Sequence, residues 1–407
     1  MQNLKSREQS ALRTLDDYSG STKKRRQPTI GDFSWITPST PLSSINLNWR
    51  ERDLPERLRT KHVHRLHPYL GKYVPQLVEI FLRKFKPQIV CDPFCGSGTT
   101  LVEANALRIP SIGCDISSFN CLLSKVKTDK YDTRKLELEI KDILAKTVAE
   151  IRRTGIKKKW VEKEATPYLR EWFAPKALFQ ILLYRSLIEN YEHKDVLKII
   201  LSRATRSARL TTHYDLDFPK KPQKESYFCH KHQRICKPTD DALTFLSRYS
   251  IDTIKRIKEF SIIRSDAPVT IICDDARKVE FPPFDTVMTS PPYVGLIDYH
   301  EQHRYAYELF SLPDKRDLEI GAAFNGNSRK AVEDYVRGIG NVFENIRKSI
   351  SDNGVAIIVV NDKRNLFSSL TERTGFTVEE TLTRNVNRRT GRRGDAFSEQ
   401  VLIWRAM

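Results

Sequence analysis

Between Gln88 and Asp115 the chain runs through a sequence that few folds accommodate. A short apolar segment, Gln88-Ile89-Val90-Cys91, gives way to the turn Asp92-Pro93-Phe94-Cys95-Gly96-Ser97-Gly98-Thr99-Thr100. Leu101 to Leu107 then reads as a helix, Ser111-Ile112-Gly113-Cys114 as a second apolar strand, and Asp115 ends it. Strand, glycine turn, helix, strand, acidic residue is the opening of a doubly wound α/β sheet, because parallel neighbours need a helical crossover and the crossover is right-handed. Glycines at 96 and 98 let the backbone approach a ligand where a Cβ would collide.

The same rhythm returns much later. Leu77 to Phe85 predicts an amphipathic helix ahead of the first strand, whereas after Asn120 the alternation stops. Residues 125–265 carry Lys, Glu, Leu and Ile at helical spacing, interrupted by an irregular patch from Thr211 to Pro238. Strands resume at Val269 to Ile272 and at Phe284 to Met288, a helix is expected over Ala331 to Ile350, and Val355 to Val360 reads as a strand. Phe376 to Thr383 and Glu399 to Trp404 read as an antiparallel pair joined by an arginine-rich loop. The expected organisation is a basic arm and Pro/Ser-containing lead-in over 1–59, and an α/β domain split into 60–124 and 266–407. A mostly helical insertion over 125–265, a candidate target-recognition region, separates the two parts.

Two places at the strand ends carry chemistry. Asp115 lies about twenty residues past the glycine turn, where a carboxylate accepts hydrogen bonds from both hydroxyls of a ribose. Asp275 ends the next core strand on the same edge and is placed to receive an adenine amino group; Asp274 competes with it, one of the two serving the turn. Further on, Ser290-Pro291-Pro292-Tyr293 follows an apolar strand. Two prolines cannot continue a ladder, so the chain leaves the sheet abruptly. The carbonyls of Ser290 and Pro291 are then free to accept the two N–H groups of an amine, and Tyr293 offers a ring for a base to stack on.

With these segments together the sequence resembles the amino-methylating DNA methyltransferases, which act on cytosine N4 or adenine N6. Asp92 to Thr99 matches their cofactor motif and Thr289-Ser290-Pro291-Pro292-Tyr293 their catalytic motif. His67-Pro68-Tyr69 with Gly71-Lys72-Tyr73 is similar to the segment preceding the cofactor strand, and Ser398 to Trp404 to the family's last strand. The resemblance covers about residues 60–123 and 268–405. It implies a Rossmann-like fold dependent on S-adenosylmethionine, held by Tyr69, Asp92, Phe94, Gly96, Gly98, Thr99, Asp115 and Asp275, with Ser290 to Tyr293 catalytic. Serine at the head of the catalytic motif is typical of the cytosine-N4 subgroup and points to that base. The implied substrate is double-stranded DNA with the target base flipped out, and a cognate restriction endonuclease is a possible partner. Adenine-N6 methylation, RNA base methylation and a silent nucleic-acid binder are the competing readings. No cysteine sits beside the proline pair; Cys95 lies in the cofactor turn, which disfavours cytosine-C5 chemistry.

Charge fits a polyanionic partner: 69 Lys and Arg against 51 Asp and Glu leave +18, which favours nucleic acid through counterion release. Arg203, Arg206 and Arg209 recur at intervals of three and are candidates for phosphate contacts, against a solvated helix face. Arg388, Arg389, Arg392 and Arg393 flank two glycines in the terminal loop and are stronger candidates for tracking the DNA backbone. The run Lys23-Lys24-Arg25-Arg26 is read as a solvated arm. The seven cysteines are odd in number and scattered, with no signal peptide or long apolar run, so a reducing, cytoplasmic setting without membrane attachment is expected. Cys229-His230, His232 and Cys236 lie within eight residues, but their spacing is not a common zinc-finger pattern. The expectation is no bound metal, with a zinc site of two thiolates and one or two imidazoles as the alternative.

Overall fold

The computed structural model describes residues 32–50, 52–217, 219–386 and 397–407. Two compact units emerge. One comprises Phe33–Tyr131, Asp217–Lys220 and Ile257–Met407; the other, among described residues, comprises Asp132–Leu216 and Lys221–Arg256.

The larger unit is built on a seven-stranded sheet. In chain order its strands are β1 (Val90–Asp92), β2 (Ser111–Cys114), β5 (Val269–Ile272), β6 (Phe284–Thr289), β7 (Ile350–Val360), β8 (Phe376–Val386) and β9 (Phe397–Ala406). Strands β3 (Tyr227–Cys229) and β4 (Arg234–Cys236) form a separate antiparallel hairpin. The order across the main sheet is β5-β2-β1-β6-β7-β9-β8. Pairs from β5 to β7 are parallel, and β9 inserts antiparallel between β7 and β8. The chain therefore winds outward from β1 to β2 and β5, then returns to place β6 on the other side of β1. That reversal opens a crevice at the carboxyl ends of β1 and β6, where ligands of open α/β sheets bind. The glycine turn leaves β1 there, and the Ser-Pro-Pro-Tyr turn leaves β6.

Alternation along the central strands splits the core into two layers. Val355, Ile357, Val359, Val401 and Ile403 face the helix Pro75–Phe85 with its Leu77, Ile80 and Phe81. Ala356, Ile358, Val360, Leu402 and Trp404 face the helix Arg329–Arg347 with its Ile339, Phe343 and Ile346. A period of two in a strand buried on both faces demands this division. The helix ends follow local chemistry: Pro75 sits at the first turn of its helix, where no donor is needed, and Ser328 accepts from Ala331 N to cap Arg329–Arg347.

The second unit is helical, as its periodicity predicts. Helix Pro175–Leu187 is buried from Ala177 through Tyr184, apolar almost all round, and is the unit's core element. Helices Thr133–Thr154, Lys158–Glu164 and Lys194–Ala208 pack against it. Buried Gln180 pins the start of the last helix, donating to Asp241 Oδ1 (2.8 Å) and accepting from Ala242 N (2.6 Å). The compact unit starts at Asp132 rather than 125, because the preceding helix, Ser118–Thr128, belongs to the sheet unit and clamps the glycine turn. The irregular patch contains the β3–β4 hairpin. No helix of the described residues is long and apolar enough to cross a membrane.

Candidate active site

The glycine turn is bent by two left-handed glycines, Gly96 (φ 48°) and Gly98 (φ 75°). A Cβ on Gly96 would lie 2.8 Å from the Tyr69 hydroxyl, and one on Gly98 2.7 Å from Ser124 Oγ. Both space and φ therefore exclude other residues. From below, helix Ser118–Thr128 holds the turn's carbonyls: Ser124 Oγ donates to Gly96 O (3.0 Å) and Lys127 Nζ to Ser97 O (2.6 Å). Lys127 is 1% exposed, and burial pushes its pKa well below the ordinary lysine value.

Asp115, at the end of β2, is locked in orientation. Its Oδ2 accepts from Gly96 N (2.9 Å), and its Oδ1 from Ser117 N (2.8 Å) and Asn120 Nδ2 (3.1 Å). Burial raises its pKa to about 6 against the pull of these donors. Asp275 also lines the cleft. Burial opposes its charged form, yet the bidentate Arg277 guanidinium (2.7–3.0 Å) prevails and holds the carboxyl below its usual range. Both acids serve the turn: Asp274 accepts from Asp275 N at 2.7 Å, and Asp275 Oδ1 from Arg277 N at 3.0 Å.

Asp92 is placed differently from its neighbours. It is 1% exposed and lies beneath the turn, accepting from Thr100 Oγ1 (2.7 Å), Thr289 Oγ1 (2.6 Å) and Phe94 N (3.2 Å). The cleft itself is lined by Tyr69, Phe94, Gly96, Thr99, Asp115 and Asp275 from the sequence-derived set, and by Ser290 and Pro292 from the second motif. Gly98 shapes the turn without lining the cleft. Ser290 Oγ donates to Val359 O (2.9 Å) and also meets the Tyr293 hydroxyl. Pro291 is buried. Tyr293 packs against the core layer around Trp404 and directs its hydroxyl to Glu399 (3.4 Å). Cys95 is buried, and burial pushes its thiol well above the ordinary value, leaving it protonated at neutral pH.

Asn120, Tyr299 and Glu319 line the cleft without any sequence signal, and His300, close after the catalytic turn, lines it with them. Asn120 bridges Asp115 and the Tyr69 hydroxyl (3.3 Å), and Tyr299 stacks on Tyr69 with centroids 5.7 Å apart. Glu319 accepts from Tyr299 N (3.1 Å) and His300 N (2.8 Å) and pairs with His300 Nδ1. His300 Nε2 accepts from Lys315 N (3.2 Å), so Nδ1 carries the proton toward Glu319. His303 stacks on Tyr69 at 5.6 Å, a packing role.

The arginine stripe of the helical unit requires correction. Arg203 is 8% exposed, pairs with Asp252 at 2.7 Å and lies over the Tyr249 ring at 4.1 Å. Arg209 falls beyond its helix, is 4% exposed, and donates to Leu216 O at 2.7 Å. Both hold the unit's interior together and are not on a phosphate-facing stripe; Arg206 is half-buried. Arg388, Arg389, Arg392, Arg393 and the Lys23–Arg26 run lie outside the described residues.

A crevice at the switch point of a 5-2-1-6-7-9-8 sheet, with a glycine cradle and a carboxylate at the second strand's end, defines a nucleotide-cofactor-dependent methyltransferase of Rossmann type. Comparison narrows the class. The DNA methylase family model matches residues 72–126. The Type II methyltransferase M.MjaII of Methanocaldococcus jannaschii is 37% identical over 429 aligned positions, covering 86% of this chain and 81% of the relative. M.MvaI of Kocuria varians is 25% identical, covering 56% of this chain and 53% of its own. M.BsoBI of Geobacillus stearothermophilus is 23% identical, with 69% and 60% covered. The chain belongs to the amino-methylating DNA methyltransferase family, whose methyl donor is S-adenosylmethionine. The cleft fits that donor: it combines a backbone cradle that no side chain can enter, an oriented carboxylate suited to vicinal hydroxyls, and aromatic walls from Phe94 and Tyr69.

Proposed function

We propose that this chain methylates the N4 amino group of cytosine within a specific double-stranded DNA sequence, as the modification partner of a restriction endonuclease. The observation that carries the reading is Ser290. It lines the cleft with a hydroxyl that donates to Val359 O and meets the Tyr293 hydroxyl, so an amine entering there finds an uncharged oxygen that can accept. A neutral acceptor suits an aromatic amine whose two N–H groups must be held while nitrogen gains positive character.

In this reading Tyr69, Phe94, Gly96, Thr99, Asp115 and Asp275 hold S-adenosylmethionine, with Asp115 accepting from the ribose and Asp275 from the adenine amino group. Asp92 and Gly98 act through the turn's shape. The bound donor supplies a methyl group on a positively charged sulfur. The chain's own residues do the rest. Ser290 Oγ and the Pro291 carbonyl accept hydrogen bonds from the amino group of a flipped base, favouring a pyramidal nitrogen and stabilising its developing charge, and the methylated nitrogen then releases one proton to water. Fixing that nitrogen in line with the methyl group contributes through orientation. Tyr293 stacks on the base once its ring is exposed to the cleft. Arg388, Arg389, Arg392 and Arg393 track the phosphate backbone, together with Arg206. The protonated Cys95 thiol gives no support to a covalent route through cytosine C6.

The test is incubation with unmethylated genomic DNA and methyl-labelled donor, followed by digestion to nucleosides and mass spectrometry. Labelled N4-methylcytosine is expected. N6-methyladenine would overturn the base assignment while keeping the chemistry, and label found only in RNA would overturn the substrate.

A further inference from the structure

The β3–β4 hairpin of the helical unit gathers four ligand atoms that the methyl-transfer site does not use. Cys229 ends β3, His232 follows it in the turn, and Cys236 ends β4. His213, sixteen residues before Cys229, joins them, and all four ligand atoms lie within 4.8 Å of one another. Cys229 Sγ is 3.6 Å from His213 Nδ1 and 3.6 Å from His232 Nδ1, and Cys236 Sγ is 3.6 Å from His232 Nδ1. A tetrahedral zinc ion, with Zn–S of about 2.3 Å and Zn–N of about 2.0 Å, separates neighbouring sulfur and nitrogen donors by about 3.5 Å. We propose that His213, Cys229, His232 and Cys236 form a structural Zn²⁺ site.

Hydrogen bonding alone accounts poorly for the cluster. His232 Nδ1 has a single lone pair yet faces two thiols at the same distance, and Cys229 faces two imidazoles. One cation accepts all four donors at once. The Tyr227 hydroxyl, 3.0 Å from His213 Nδ1, already accepts from His213 N at 2.9 Å; it turns its proton away when that nitrogen binds the ion.

The hairpin also lacks another source of stability. Its strands are three residues long, and pairing of Phe228 with Ile235 puts both on the face opposite the thiols, 48% and 65% exposed. Two short strands with their apolar face in solvent are marginal in water, and small elements without a core are commonly stapled by a metal. Cys229 and Cys236, by contrast, are buried at 0% and 7%. Two thiolates and two neutral imidazoles cancel the ion's charge. All four positions are filled by protein, so the ion is structural rather than catalytic. A second cluster, His62, His64 and Glu103, does not qualify: Lys61 Nζ already occupies Glu103 at 2.7 Å, and its ammonium repels a cation.

The experiment is metal analysis of the full-length protein, purified under reducing conditions without chelator, followed by cobalt substitution of the same protein. About one zinc per chain is expected, with Co²⁺ giving the thiolate-to-metal charge-transfer and visible bands of a tetrahedral two-sulfur site. Cys229→Ser and His213→Ala should each lose the metal, while S-adenosylmethionine binding by the sheet unit persists. A reduced wild-type protein that carries no zinc and gives no cobalt band on titration overturns the proposal, whether or not the variants fold. Metal retained in both variants overturns the ligand set.

Discussion

The hydroxyl of Thr289 donates to Asp92 Oδ1 across 2.6 Å, and neither residue is more than 1% exposed. The bond joins the last residue of β6 to the last residue of β1, and thus the catalytic turn to the cofactor turn. Thr100 and Tyr73 hydroxyls complete the carboxylate's environment. Burial raises the Asp92 pKa, while each of these donors favours the charged form. Thr289→Val keeps the shape and removes one donor from a buried carboxylate, which should cost about 1–3 kcal/mol in urea denaturation. The sign of the pH dependence follows. A raised folded pKa means stability is lost as pH rises through it, and the variant raises that pKa further. The variant's deficit should therefore grow from acidic to neutral pH, and Thr289→Ser should recover most of it. A deficit equal at both ends would mean that lost packing, not the hydrogen bond, is responsible.

Asp115 titrates near the working range. Burial raises its carboxyl to about 6 in the folded chain, so its ionised form costs stability above that pH and the cost vanishes below the unfolded value. Cofactor binding runs the opposite way, because only the carboxylate accepts from both ribose hydroxyls without a proton of its own. Calorimetric titration with S-adenosylmethionine should show affinity level above pH 7 and falling by up to about tenfold per unit below 6. Asp115→Asn should bind weakly at every pH, since its amide N–H₂ would face the N–H of Gly96 or Ser117. A profile flat between pH 5 and 8 in the parent would remove Asp115 from the ribose.

Gly96 and Tyr69 test the cradle as a pair. Gly96→Ala introduces a Cβ 2.8 Å from the tyrosine hydroxyl at a φ of 48°, so cofactor affinity should fall more than about tenfold, from a strain of about 1–2 kcal/mol plus the clash. Adding Tyr69→Phe removes the clashing oxygen and should restore part of the loss. Measured by the same titration, strict additivity of the two effects would place the alanine's damage elsewhere in the turn.

Much of this site was readable in the sequence because it depends on local pattern. Glycines forced to positive φ, a carboxylate at a strand end and a proline pair after an apolar run each report their own backbone, and β1, β2, β5 and β6 fix their edge of the sheet. What escaped depends on distant chain segments meeting. Glu319 and Asn120 sit in stretches without motif and matter only because the fold brings them to Tyr299 and Asp115. His213 meets Cys229 across an irregular segment, so the local spacing of Cys229, His232 and Cys236 gave no sign of it. Arg203 and Arg209 misled for the same reason: periodicity gives a helix face, and only packing reveals that Asp252 and Leu216 already hold them.

That distinction separates two sets of arginines by one measurement, the salt dependence of DNA binding. Each phosphate contact contributes about 0.9 to the slope of log K against log salt. Replacing Arg388, Arg389, Arg392 and Arg393 together with Gln should lower the slope by as much as about 3–4 and weaken binding across sequences. Arg203→Met should do the reverse. It breaks the pair with Asp252 and the contact over Tyr249, costing about 1–3 kcal/mol of stability and leaving the slope intact. A slope unmoved by the quadruple replacement would take those four arginines off the DNA backbone, and a slope reduced by Arg203→Met would return Arg203 to it.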